Sequence, residues 1–291
     1  MNEIFFLIST TLMYATPLIF TGLGGLMSEK TGIVNIGLEG MMTIGAFFAS
    51  YVALKTNQPW LGFVAGGMAG LTLATLHALA SIKYKANQVV SGMAINFLGG
   101  GLSIFLCRLF FDGTSMTPPL DLEKKIPLLF NQYATVYLAF ILTFIIWFIL
   151  NKTALGLRLI SVGEHPKSAD AAGFSVASYR TMGVLSSGFM AGLGGASLSI
   201  AIVSNFRPTL ISGQGFIALA AMIFGKWRPI GTLMACLFFG FSQALVVYLG
   251  GKESLQVSSQ LLSILPYILT LIVLVGLMGK TVAPTALGAQ D

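Results

Sequence analysis

Few residues of this chain could do chemistry, and most of them lie where chemistry is costly. Glu39 is the one carboxylate set well inside an apolar block. An ionisable group near mid-bilayer costs about 2.5–3.5 kcal/mol on insertion scales, so a carboxylate kept there has a task. It follows Thr31-Gly32-Ile33-Val34-Asn35, in the first turn of its segment. A carboxylate there either contacts a passing solute or satisfies backbone N–H groups freed at a helix N-terminus. His77 and His165 have no partners at the spacing of a triad or a metal site, and no paired carboxylates occur. Cys107 and Cys236 sit inside apolar blocks as small buried hydrophobes, with no CxxC or Cys/His spacing. Gly276-Leu277-Met278-Gly279-Lys280-Thr281 looks like the end of a P-loop, but the motif's first glycine falls on Leu274. The segment also follows an apolar block and runs into Ala283-Pro284, where a strand before and a helix after are needed. No catalytic or metal-binding constellation emerges.

The elements that position these residues are set by composition. Charged residues make up 9% of the 291, against about 25% in a soluble domain. Apolar residues make up 55%, and the mean hydropathy is +0.85. Eight blocks approach or reach the roughly 20 residues that cross a bilayer as a helix. They run Ile4 to Met27, Ile36 to Leu54, Trp60 to Ile82, Val89 to Phe111, Thr135 to Leu150, Thr181 to Val203, Ile230 to Leu249 and Leu261 to Met278. A ninth, Ile211 to Phe224, is shorter and broken by Gly213 and Gly215. The expected fold is an all-α polytopic membrane protein, one transmembrane domain over residues 1–291. The N-terminus lacks the positive region of a signal peptide, so the first block reads as a retained span. The net charge of +6 forms no basic stripe with interleaved aromatics, which excludes a nucleic-acid groove.

Charge decides whether the short block crosses. With loop 151–180 in the cytoplasm and nine crossings, the inside holds ten basic residues and the outside six: Lys55, Arg108, Lys124, Lys125, Arg207 and Lys252. Without the ninth crossing the split is eight to eight. The positive-inside rule therefore predicts nine crossings, the N-terminus outside and the C-terminus in the cytoplasm. The chain also carries an internal repeat. Gly22-Leu23-Gly24-Gly25 recurs as Gly192-Leu193-Gly194-Gly195, and at the same offset of 170 Asn35 matches Asn205 and Gly45 matches Gly215. The first copy begins in span one and the second in span six, so the copies are inverted, as in transporter cores with broken helices. Gly66 with Gly70 and Gly188 with Gly192 make GxxxG steps, which predict close helix approach.

Apart from Glu39 no span interior holds an acid, whereas an ion-coupled carrier needs intramembrane carboxylates. The energy source is then expected outside this chain. In loop 151–180, Pro166 through Ala172 followed by Gly173 reads as a short helix with proline at its start and glycine past its end. A charged, small-residue helix between two spans suits a cytoplasmic partner.

Three stretches carry a family resemblance over nearly the whole chain: Gly32 through Met42, Gly163-Glu164-His165-Pro166 through Phe174, and Gly213 through Trp227. The sequence resembles the permease subunits of ABC importers for branched-chain amino acids, ribose and nucleosides. Asn35-Ile36-Gly37-Leu38-Glu39-Gly40, Val90 through Asn96, Ala220 through Trp227 and the tail Pro284 through Gly288 look most like the nucleoside permeases. It departs from them at His165, where the loop usually has Asn, and at Ser242-Gln243, where an Asp is common. The resemblance implies that loop 151–180 holds a coupling helix seated on a separate ATP-binding subunit, through Gly163, Glu164, His165, Pro166, Ala171, Ala172 and Gly173. It also implies a second related permease chain, an extracytoplasmic substrate-binding (lipo)protein, a bacterial cell membrane, and no cofactor or metal in this chain. The substrate pathway is expected at the broken segments, with Asn35, Glu39, Ser91, Asn96 and Gln214 meeting ring nitrogens and ribose hydroxyls. Simple sugars and branched-chain amino acids are the alternative cargo.

Overall fold

The computed structural model describes residues 3–251, 264, 268 and 282–289. The block Leu261 to Met278, apart from Ile264 and Ile268, lies outside the described residues, as does the P-loop-like segment to Thr281. The described chain is predominantly helical. Its helices are α1 (Glu3–Glu29), α2 (Leu38–Thr56), α3 (Pro59–Ala78), α4 (Gln88–Phe110), α5 (Ala134–Lys152), α6 (Ala154–Glu164), α7 (Pro166–Ala171), α8 (Val176–Ser197), α9 (Gln214–Phe224) and α10 (Pro229–Gly250). A π-helical turn extends α3 over Leu79–Lys83 and α8 over Leu198–Ile202. Among the described residues, six helices are long and apolar enough to cross a membrane: α1, α3, α4, α5, α8 and α10, with α3 and α8 counted through their π turns.

The side-chain contacts sort the helix ends into two groups. At one end, Ser9 of α1 bonds Gln132 just before α5, the rings of Phe6 and Tyr248 lie 6.3 Å apart, and Tyr51 of α2 stacks on Phe110 of α4. The connection 112–133 folds over that end, its Thr117, Leu120 and Ile126 amides donating to the Phe206, Ser204 and Ile200 carbonyls. A two-stranded hairpin, β1 (Leu128–Leu129) and β2 (Gln132–Tyr133), closes it. At the other end, Trp227 meets Glu29, Gln88 meets Val34, and the tail 284–289 docks on Gly32, Gly163 and Glu164. Residue 251 thus lies at the first end and residues 282–289 at the second.

Close backbone approach makes the centre. A Cβ on Gly70 would strike Gly188 and Gly192, and one on Gly192 would strike Gly66, so the two GxxxG steps pack directly on each other where α3 crosses α8. Gly45 of α2 lies against Gly192 in the same contact. Without a hydrophobic drive between helices in lipid, such van der Waals proximity is what holds them. Phe20, Phe47 and Phe206 are among the largest fully buried side chains. Phe97, Phe105, Phe144 and Met234 instead point outward from α4, α5 and α10 and form an apolar exterior.

Two elements differ from the sequence reading. Loop 151–180 is mostly helix: α6, an amphipathic helix parallel in composition to neither span, precedes α7, and α8 begins at Val176 rather than Thr181. The short block yields only 11 helical residues, about 16 Å at 1.5 Å per residue, half the roughly 30 Å of a hydrocarbon core. The non-helical stretch 203–213 supplies the rest of the passage between the two ends.

Candidate functional site

The chain reverses at residues 30–37 and dips back into the bundle before α2 begins. Leu38 packs against Gly25, a turn inside the end of α1. α2 therefore starts within the membrane-spanning body, and its first N–H groups need partners that lipid does not offer. Asn96 of α4 supplies one: its side-chain oxygen accepts from the Gly40 amide at 2.8 Å, and its nitrogen donates to the Ile36 carbonyl, just before the helix, at 3.0 Å. α9 also starts inside the body. Its N-terminus is held by Glu39, whose two carboxylate oxygens accept from the Gly213 and Gly215 amides at 2.6 and 2.7 Å. A carboxylate at the positive end of a helix is stabilising in itself, and a pair of backbone donors makes the bond charge-assisted. Glu39 thus caps α9, not its own helix. The two broken helices meet at their N-termini through one side chain.

Asn35 is fully buried. Its nitrogen donates to Ser187 Oγ at 2.9 Å and its oxygen accepts from the Gly37 amide at 3.1 Å. Ser91 bonds His77 Nδ1 at 2.9 Å, and His77 Nε2 lies 3.1 Å from the Val34 carbonyl, so this pair ties α3 and α4 to the reversing segment. Gln214 sits at the start of α9 with a buried side-chain oxygen that has no hydrogen-bond partner. Of the five polar candidates, Glu39, Asn96 and Gln214 gather at the helix junction, whereas Asn35 and Ser91 hold the segment leading to it. Beside the junction, Phe216 is exposed, and Gly100 and Gly213 face open space.

At the second end, α7 begins at Pro166 and stops at Ala171. Gly173 takes a φ of +85°, with its amide on the Asp170 carbonyl and that of Phe174 on Ala169. This is the αL termination that glycine permits. Ala171, Ala172 and Gly173 are exposed, and a cleft of about 270 Å³ lies between α7, Lys85 and Arg180. Gly163 and Glu164 face inward instead. Gly163 lies on the Lys30 backbone and accepts from the Ala286 amide, and Glu164 accepts from the Thr285 amide and hydroxyl at 3.1 and 2.8 Å. Burial raises the Glu164 carboxyl, but the Thr285 donors, Lys30 and His165 outweigh it and hold it below its ordinary value. His165 caps α7 on the exposed side.

Sequence reasoning missed two charged residues. Glu29 is 3% exposed and accepts from Trp227 Nε1 at 2.6 Å, linking α1 to the turn after α9. Arg180 is buried too, and its Nε donates to the Thr31 carbonyl at 3.4 Å. Both sit at block edges, where charge reads as ordinary flanking; only their burial marks them.

The comparisons fit this arrangement. The family model described as the branched-chain amino acid transport system / permease component matches residues 7–274. The chain belongs to that family. As a permease component it is a multi-pass membrane protein with a transport role, not a catalyst. It is 44% identical to the guanosine ABC transporter permease protein NupQ of Bacillus subtilis, over 97% of this chain and 95% of that one. It is 40% identical to the nucleoside ABC transporter permease protein NupC of Lactococcus lactis, over 99% and 97%. A putative glucose ABC transporter permease protein, TsgC13 of Haloferax volcanii, is 38% identical over 82% of this permease and 76% of its own length. No solved structure matches.

Proposed function

We propose that this chain is one permease subunit of an ATP-driven ABC importer and forms half of the translocation pathway for nucleosides in a bacterial cell membrane. The observation that carries this reading is near end-to-end likeness, at 44% and 40% identity, to permeases named for guanosine and nucleosides. The pathway is assigned to the face beside the junction of α2 and α9, where Gln214 offers an unpartnered amide oxygen beside the exposed Phe216 ring, and Asn96 and Glu39 hold the two helix starts that frame it. A nucleoside presents ring nitrogens and ribose hydroxyls to amides and an aromatic face to stack. Asn35 and Ser91 act behind that face, as supports.

In this reading the chain crosses nine times. Eight passages are α1, α2, α3, α4, α5, α8, the stretch 203–224 and α10; the ninth is the apolar block Leu261 to Met278 of the sequence reading. The end bearing α7 is cytoplasmic, and the N-terminus is outside. The inverted repeat is supported by element positions: adding 170 to α1, α2 and α3 lands on α8, α9 and α10, and Pro59 and Pro229 begin the third member of each set. The packing repeats as well, since α1 packs on α9 and α10 as α8 packs on α2 and α3. α7 is the coupling helix for a separate ATP-binding subunit, which binds the ATP. A second related permease completes the pathway, and an extracytoplasmic binding protein delivers cargo.

Uptake of labelled guanosine, adenosine, ribose and leucine, in cells with and without the gene, tests the reading. Loss of nucleoside uptake alone is expected. Loss of ribose uptake would favour the second reading, a sugar permease, to which the likeness to TsgC13 points. Uptake by the purified chain without an ATPase would instead make it an autonomous carrier or channel.

A further inference from the structure

At the end of the bundle where α1, α5 and α9 finish and α10 begins, a cavity of about 650 Å³ opens. Three cations line it: Lys30, Lys226 and Arg228. Among the described residues, none of the three is in an ion pair; the pair that forms is Lys124 with Asp121. The two carboxylates nearby are committed elsewhere, Glu29 to Trp227 and Glu164 to Thr285. Burial lowers the Lys30 ammonium; Glu164 opposes that shift and Arg228 adds to it. Glu164 thus partly offsets Lys30, whereas Lys226 and Arg228 have no carboxylate partner among the described residues.

The turn carrying two of these cations is built rather than loose. Lys226 and Trp227 both stand at positive φ, 55° and 51°. The amides of residues 225–228 are tied to the carbonyls of Ala221, Ile223, Met222 and Gly225, and Glu29 anchors the Trp227 indole. A left-handed pair of non-glycine residues is held only where its surroundings fix it. Arg228 then stands at the N-cap position of α10, whose positive end opens at the same place. The remaining wall is largely apolar: Trp147 and Trp227 supply indoles beside Leu150, Ile160, Phe224 and Ile230, and outside the cavity Phe148 of α5 and Met234 of α10 are exposed. Cations and indoles beside exposed apolar helix sides match a phospholipid and not a soluble ion, which would have no use for the apolar surface.

We propose that this cavity binds the phosphate of an anionic phospholipid, with Arg228 and Lys226 on the headgroup and the acyl chains along α5 and α10. The site is separate from the junction of α2 and α9 and does not depend on which solute is carried.

Native mass spectrometry of the full chain in its importer complex tests this, with added phosphatidylglycerol, phosphatidylcholine or inorganic phosphate. Preferential retention of phosphatidylglycerol is expected. K226Q with R228Q should weaken it about 25-fold, at about fivefold per charge, and leave phosphatidylcholine retention unchanged. K226R with R228K, which keeps the charges, should retain the preference and shows whether the turn tolerates substitution. Equal retention of the two lipids, or an unaltered preference in K226Q/R228Q, would overturn the proposal. Displacement of phosphatidylglycerol by millimolar inorganic phosphate would overturn the lipid assignment and leave a soluble anion site. Cations buried by the ATP-binding subunit, seen as a preference that appears only when that subunit is removed, would also overturn it.

Discussion

The junction of α2 and α9 and the helix α7 are two polar regions of this permease that treat polar groups in opposite ways. At the junction nearly every polar atom is consumed by the chain's own backbone: Asn96 serves α2, Glu39 serves α9, and Asn35 serves the turn before α2. At α7 Lys167, Ser168, Asp170 and Ala171 stay exposed, while Ala169 is buried. The difference follows from solvent. Inside the membrane body an unmet N–H costs several kcal/mol, so side chains go first to the backbone and only a residue such as Gln214 has an atom left over. At the end bearing α7, outside the membrane body, water meets those needs and the surface stays uncovered. The junction therefore leaves little unsatisfied, whereas α7 leaves much uncovered.

The largest effect should come from α7. A171E with A172R should reduce nucleoside uptake to background while changing stability by no more than about 0.5 kcal/mol, as for exposed positions. Uptake assays beside thermal unfolding of the purified complex read both; surviving uptake would break the contrast. Next is E39A, which strands the Gly213 and Gly215 amides. It should cost about 1–3 kcal/mol and lower uptake about tenfold, while E39Q, which still accepts hydrogen bonds, should recover part of both. An E39A protein as stable as the parent would show that α9 needs no cap.

N96L should cost about 1–2 kcal/mol through the Gly40 amide, less than E39A because a neutral bond replaces a charge-assisted one. Denaturant unfolding of the two variants in parallel sharpens the ranking. The smallest effect is at the tail. Glu164 is held below its ordinary value in the folded state. Its contribution is therefore present above that ordinary value and lost as pH falls through the lowered folded one. A cysteine at buried Ala286 should be shielded from thiol reagents at neutral pH and become labelled in acid. In T285V, which keeps Lys30 and His165 but loses one donor to Glu164, labelling should begin at a slightly higher pH. Equal profiles for the two would remove the Thr285 hydroxyl from the account.

Much of this was legible beforehand. The apolar blocks located α1 to α5, α8 and α10 to within a few residues, because a helix in lipid must be both apolar and long. Pro166 and Gly173 located α7, because each restricts or permits one backbone conformation. The GxxxG steps announced close packing but not the partner; that Gly70 meets Gly188 and Gly192 depends on how α3 and α8 cross. α6 was missed because its amphipathic stripe spans only 11 residues beside a much stronger span signal.

The sequence by itself determined that the chain lives in a membrane, where its long helices run, and which family it joins, since these depend on composition, block length and motif identity along one dimension. Tertiary structure decided what each polar residue does. Glu39 stands in the first turn of one helix and caps another 174 residues away, and Glu29 finds Trp227 across 198 residues. Such pairings depend on which helix starts meet inside the bundle, and burial there leaves each carboxylate only the donors that packing brings to it.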